Sequence, residues 1–201
     1  MSKTSGNRRG DKRQKILAAA LKVFAKKGFY HSKVAEIARR AKVADGTIYL
    51  YFNNKDDILI SLFEEEMEKV INEMKAALAD EDDPRKKFEI FARTHLGLID
   101  SHREAAEILQ VEVRQSSKFM KDYRNEKFLQ YLNIIADLVV EGQKQGYFRA
   151  EINPDIAKRA FFGALDEMSR YWVLSTKRGC SIQTAARQIS QFFLSGLVMD
   201  K

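Results

Sequence analysis

Cysteine, proline and tryptophan are nearly missing from this 201-residue chain, which holds one Cys, two Pro and one Trp. A lone Cys180 has no internal disulfide partner, so a reducing cytoplasm is the expected compartment. Two prolines and a hydrophobic content of 45% argue against collagen-like, linker-rich or disordered chains. Long hydrophobic runs are missing too. The longest stretch without a charge, Gln188 to Met199, has twelve residues and is too short to span a bilayer. No apolar stretch follows the basic start closely enough to make a signal peptide. Residues 80–201 contain no Gly-rich phosphate loop, no paired cysteines and no Ser or Cys nucleophile beside a base, so nothing there points to an enzyme. His95 and His102 lie seven residues apart without a carboxylate at the usual ligand spacing. They read as core or surface histidines, not as a metal site.

What is present is charge, unevenly placed. The formal total is +7, yet residues 1–55 carry nine Lys and five Arg against Asp11, Glu36 and Asp45, a net of +11. The other 146 residues therefore sum to −4. A basic head on a mildly acidic body points to a polyanion partner for the head. A basic tail over residues 1–10, expected to be disordered, accounts for part of that charge.

Helical periodicity runs through nearly the whole chain and strand alternation is almost absent. Ile16, Leu17, Ala20, Leu21 and Phe24 form a stripe that stops at Gly28. Val34, Ile37, Ala38 and Ala41 form a second, with Ser32 as its expected N-cap. Ile48 and Phe52 mark a very short third helix. Asn54 caps a fourth, whose acidic residues Glu64, Glu65, Glu66 and Glu68 read as a solvated face. Asp83-Pro84 and Asn153-Pro154 are start signals, with Pro at the first helical position. Further helices are expected from Pro84 to about Ser101, over roughly 103–115, from about 118 to Gly146, from Pro154 to about Lys177, and from Ser181. The expectation is an all-α chain of about nine helices, with one domain over 1–55 and a second over 56–201.

Residues 32–52 have the helix-turn-helix layout: a short amphipathic helix, a turn of about four residues, another short helix. Ile48 and Phe52 supply the buried side of the second helix. Thr47, Tyr49 and Tyr51 then point elsewhere, with hydroxyls suited to phosphate oxygens and rings suited to thymine methyl groups. Packing of both tyrosines against the first helix is the alternative. Lys55 brings a cation and free backbone N–H groups to the start of the next helix, where a phosphate fits.

The string Val34 to Phe52, followed by Lys55, Asp56 and Leu59, resembles the DNA-binding signature of the tetracycline-repressor (TetR) family. Three positions depart from its pattern: Lys42 stands where Gly is usual, Ala44 where a capping Ser is usual, and Tyr51 where His is usual. Asp45 is available as a replacement cap. The resemblance implies a repressor that binds a palindromic operator as a homodimer and lets go when a ligand occupies its C-terminal domain. It implies Gly46, Thr47, Tyr49 and Tyr51 as groove-facing residues, and Ser32, Lys33 and Lys55 as phosphate contacts.

Two further segments, Glu112 to Ser116 and Phe162 to Glu167 with Trp172 beyond, are similar to the bacterial TetR-family regulators of fatty-acid degradation. That similarity implies a long-chain acyl-CoA as effector and control of the genes of β-oxidation; another hydrophobic compound, such as a drug, is the alternative. An acyl chain needs an apolar tunnel, which Phe91, Leu109, Tyr131, Ile135, Phe162, Leu165 and Trp172, with Phe88 and Leu98, are placed by helical phase to line. Arg114, with Arg93 or Lys118, is a candidate for the CoA phosphates. Arg114, Asp166, Glu167 and Arg170 fall within apolar stripes, where each charge either pairs internally or serves a ligand. Phe161, Leu165, Met168 and Trp172 on one helix, with Ile189, Phe192, Phe193 and Leu197 on the last, exceed the need of one core. They point to dimerisation through the last two helices. A small-molecule enzyme or carrier with a basic tail is one rival. A membrane-surface protein is the other, but residues 1–15 lack the large apolar side chains such a helix needs.

Overall fold

A computed structural model of the chain describes residues 4–108, 110, 125–175 and 179–198. Those residues form nine α-helices and one isolated antiparallel bridge, Phe148 with Val198. The helices are α1 (Thr4–Lys27), α2 (Val34–Ala41), α3 (Asp45–Ile48), α4 (Lys55–Leu78), α5 (Pro84–Ser101), α6 (Arg103–Glu107), α7 (Glu126–Lys144), α8 (Pro154–Leu174) and α9 (Ile182–Leu197). The all-α expectation holds. Among the described residues no helix is long and apolar enough to cross a membrane.

The start signals work as chemistry predicts. Asp83 accepts from Arg85 N–H at 2.9 Å, Asn153 from Asp155 N–H at 2.8 Å, and Ser181 from Thr184 N–H at 3.1 Å. Each satisfies a backbone donor that the first turn leaves unpaired. Asn54 caps α4 in the same way, accepting from Asp57 N–H at 2.9 Å. The long helix expected from residue 118 is described from Glu126, with Asn125 accepting from Phe128 N–H at 3.1 Å. The second half of the helix expected over 103–115 lies outside the described residues.

α1 is anchored by the buried Ile16, Leu17, Ala20 and Phe24. α1 ends at Gly28, whose φ of 76° suits glycine.

The chain divides into two compact units, and the division falls inside α4 at Glu66. The first unit takes the described residues to Glu66 with those from Glu104 to 110. Its core is Ile16, Leu17, Ala20, Phe24, Phe29, Ile37, Ile48, Phe52, Ile58, Leu59 and Leu62. The first turns of α4 carry three of these apolar groups. Its acidic stretch is only partly a solvated face: Glu66 is buried, and Glu65 pairs with Arg13 and accepts from Gln14 at 3.1 Å.

The second unit comprises Met67–Arg103 and the described residues from Asn125 onward. α5 packs against α9, α8 and α7, and α8 against α7. Lys127 pairs with Glu68, and His102 Nε2 lies 3.5 Å from Glu73, fastening the later turns of α4 to its neighbours in this unit. The α7–α8 connection turns at Gly146 (φ 74°), and Phe148 folds back onto Gly142 so closely that a Cβ there would lie inside its ring.

Candidate functional sites

Within the first unit, the helix-turn-helix is built from α2, a turn and α3. Lys33 N–H donates to Glu36 Oε2 at 3.1 Å, which fixes the start of α2. Lys27 also pairs with Glu36, and with the Lys33 N–H it holds that carboxyl below its ordinary pKa. Lys42 closes α2 in the left-handed region (φ 57°, ψ 45°), and its N–H donates to Arg39 O at 3.2 Å. A left-handed residue explains why glycine suits this position; a lysine here carries a Cβ against its carbonyl. No side chain caps α3. Asp45 is its first residue, not its cap, and Thr47 N–H donates to the backbone carbonyl of Ala44 at 2.8 Å. Phe52 lies beyond α3 but its N–H still reaches Ile48 O at 3.0 Å, so both apolar groups stay buried together.

That anchoring leaves the opposite side open. Tyr49 is 58% exposed, Gly46 is exposed, and Thr47 and Tyr51 are half-buried, with the Tyr51 ring 6.5 Å from Phe52. Lys33, at the head of α2, is exposed as well. Leu50, which pattern reading passed over, is 70% exposed, more than either tyrosine. Its only sequence signal is that it falls off the Ile48–Phe52 stripe.

Two expected phosphate contacts have other duties here. Ser32 is buried, and its hydroxyl donates to Gly28 O at 2.6 Å; it is not the N-cap of α2. The Lys55 ammonium donates to Phe29 O (2.7 Å), Tyr30 O (3.2 Å) and Ser32 O (3.1 Å), and lies 4.5 Å from the Phe29 ring centre. An ammonium has three donors, and these three carbonyls take all of them. Lys55 is therefore a strut that pins the α1–α2 turn to the start of α4. Elsewhere on this unit Lys22, Lys26, Lys27, Arg39 and Arg40 line a shallow depression with Glu36.

In the second unit three of the expected ligand residues, Phe91, Tyr131 and Phe162, come together. Phe91 lies 5.3 Å from Tyr131, and Phe162 lies 6.3 Å from Tyr131. Ile135, Leu165 and Trp172 are buried, while Phe162 is half-buried. Leu109 and Arg114 lie outside the described residues. His95, set aside as a metal ligand, sits in the middle of this cluster: parallel to the Phe91 ring at 6.4 Å and edge-on to Phe162 at 5.7 Å, with Nδ1 2.7 Å from the Tyr131 hydroxyl. Burial lowers the His95 pKa to about 4, against a small opposing pull from Asp166, so the ring is neutral at physiological pH. Burial raises that of Tyr131 well above 10. Among the described residues no group of three His, Cys, Asp or Glu side chains suits a metal ion.

Two expectations about α8 change. Glu167 and Arg170 are not buried charges but pair with each other at the surface, Nη2 to Oε1 at 2.7 Å. Phe161, Leu165, Trp172 and Leu197 belong to the unit's own core, and Phe193 packs on Phe161 at 5.1 Å. The surplus apolar surface keeps the expected Phe192 on α9, 76% exposed, and on α8 consists of Ile156, Tyr171 and Leu174, 69%, 50% and 61% exposed. Ala160, Gly163 and Gly196 are exposed among them, with open space around both glycines.

Known proteins account for both units. Residues 16–62 match the bacterial regulatory proteins of the tetR family, and residues 63–196 match the C-terminal region of YsiA-like proteins. The fatty acid metabolism regulator protein of Bacillus subtilis (strain 168) is 33% identical over 186 residues, covering 92% of this chain and 95% of its own. The fatty acid degradation regulator FadR from Bacillus halodurans superposes with a TM-score of 0.83 at 35% identity, covering 92% of this chain and 95% of that one. The transcriptional regulator FadR from Bacillus subtilis, solved in complex with stearoyl-CoA, gives a TM-score of 0.83 at 33% identity, covering 91% and 98%. The chain belongs to the TetR family of DNA-binding, ligand-responsive homodimeric repressors, and is related to its bacterial regulators of fatty-acid degradation.

Proposed function

We propose that this repressor leaves a palindromic operator when it binds a long-chain acyl-CoA, and that it governs genes of fatty-acid degradation. The observation that carries this is likeness through the ligand-binding half to a regulator solved with stearoyl-CoA. In this assignment Gly46, Thr47, Tyr49, Tyr51 and the exposed Leu50 meet the major groove, and Lys33 holds a phosphate. The cations of the α1–α2 depression add non-specific attraction, screened by salt. Phe91, Tyr131, Ile135, Phe162, Leu165 and Trp172 surround the acyl chain. Dimerisation uses α8 and α9 through Ile156, Gly163, Tyr171, Leu174, Phe192 and Gly196, the apolar and small groups their own core leaves uncovered.

Release is a matter of linkage. An effector weakens operator binding only by preferring the conformation that cannot bind DNA, and a hundredfold loss requires about 2.7 kcal/mol of preference. The two recognition helices of a dimer must match major grooves about 34 Å apart. α4 runs through the unit boundary, so a ligand-dependent tilt of α4 alters that spacing. Fluorescence anisotropy with operator DNA at fixed salt tests the scheme: stearoyl-CoA should lower operator affinity at least tenfold, with native mass spectrometry showing one bound acyl-CoA per chain. Acyl-CoA binding with unaltered operator affinity removes the proposal. A different retained hydrophobic mass favours the alternative effector.

A further inference from the structure

The aromatic cluster of the second unit contains a polar group that the proposed function leaves unused. His95 is 8% exposed, and Phe91, Tyr131 and Phe162, three residues assigned to the acyl chain, all contact its ring. Yet its Nε2 has no hydrogen-bond partner among the described residues, and neither does Ser169 Oγ, seven residues beyond Phe162 on the same face of α8. A buried donor left unpaired is costly and uncommon in native structures.

The proton on the imidazole can be placed. Tyr131 keeps its phenol proton and has one hydroxyl to offer. If it donates to His95 Nδ1, the ring proton sits on Nε2, and a single donor is left over. The opposite arrangement leaves both the phenol proton and the Nε2 lone pair without a partner among the described residues. The first leaves fewer groups unsatisfied, so Nε2–H is a fixed donor, oriented by Tyr131 and held between aromatic rings.

A hydrocarbon chain offers this donor nothing. The acceptor that an acyl-CoA carries at the head of its chain is the thioester carbonyl. We propose that His95 is a specificity-determining residue of the effector site, its Nε2–H donating to the thioester carbonyl oxygen of the bound acyl group; this rests on the acyl-CoA assignment above. Tyr131 is the positioning residue, since it acts through the imidazole. A site built to hydrogen-bond a ligand oxygen rejects the analogue that lacks it, because the protein donor is then left buried and unpaired.

The test compares stearoyl-CoA with S-octadecyl-CoA, the thioether with the same chain length and head group but no carbonyl, by isothermal titration on the full-length protein. Wild type should bind the thioester about tenfold more tightly. His95→Phe should bind both equally, and His95→Gln, whose amide keeps a donor, should retain part of the preference. Equal binding of the two ligands by wild type overturns the proposal, whether the donor then holds a water or another side chain, and that comparison needs no variant to fold. A preference that persists unchanged in His95→Phe also overturns it. If wild type binds neither ligand, the acyl-CoA assignment itself fails and this proposal falls with it. If it binds both equally and tightly, that assignment stands and only the role of His95 is lost.

Discussion

The two units put their functional groups in opposite places. In the first, the candidate contacts stand outside: Tyr49, Leu50 and Lys33 are exposed, while buried polar groups such as the Ser32 hydroxyl serve the turns that hold them. In the second, Tyr131 and His95 are inside, and the surface beside them carries ordinary ion pairs such as Arg170–Glu167. A partner as large as a duplex is met by side chains projecting from a short rigid hairpin. A ligand that must be enclosed is met by the core itself, so under the proposed assignment packing and recognition in that unit fall on the same residues. Substitutions in the first unit should therefore separate binding from stability. In the second they should not.

The largest effect is expected at a position that touches neither partner. Gly142→Ala drives a methyl group into the Phe148 ring and should cost the second unit about 3 kcal/mol, read as a lowered midpoint in denaturant unfolding. A neutral outcome would mean that the α7–α8 connection repacks freely. Lys55→Met leaves three turn carbonyls without their donor and should cost the first unit about 2 kcal/mol. It should leave the salt slope of DNA binding unchanged, whereas Lys33→Ala should reduce that slope by about one. If Lys55→Met flattens the salt slope instead, Lys55 meets phosphate on DNA and its role as a strut is incomplete.

Tyr49→Ala should weaken operator binding about thirtyfold with the unfolding midpoint intact; unchanged affinity in an anisotropy titration sinks its groove assignment. His95 tests the second unit by pH. Its folded pKa is depressed, so its contribution is complete above the unfolded value of 6.5 and is lost as pH falls toward 4. Wild type should lose about 1.5 kcal/mol more than His95→Gln between pH 6.5 and 5, a window above most carboxylate titrations. Parallel pH profiles would show that the imidazole is not held neutral. The smallest effect is a gain: Lys42→Gly relieves the left-handed lysine and should stabilise the first unit by about 0.5–1 kcal/mol.

Much of the first unit was legible because its reading surface lies in one contiguous string, Gly46 to Phe52, where burial of Ile48 and Phe52 alone decides which neighbours face out. Ser32 and Lys55 were not legible. Each finds its partners at a distance: Lys55 reaches carbonyls 23 to 26 residues back, and no local pattern encodes such a contact. On α8 helical phase alone does not say which apolar side the core takes: Phe161, Leu165 and Trp172 are buried, while Ile156, Tyr171 and Leu174 are exposed. His95 was judged by its spacing to His102, whereas its partner is Tyr131, 36 residues away.

What the sequence by itself determined is the element list and the family. Start signals, stripe periods and the Gly46–Phe52 string are local, and local chemistry suffices to place the caps of α4, α5, α8 and α9, the helices and a helix-turn-helix. What only the tertiary structure decided is what each polar group does once the helices meet. It engaged the Lys55 ammonium with three backbone carbonyls and left Ile156, Tyr171 and Leu174 uncovered on α8. It also set a neutral histidine among aromatic rings with one donor to spare. Hydrogen bonds and burial depend on groups far apart in the chain, and those distances exist only after folding.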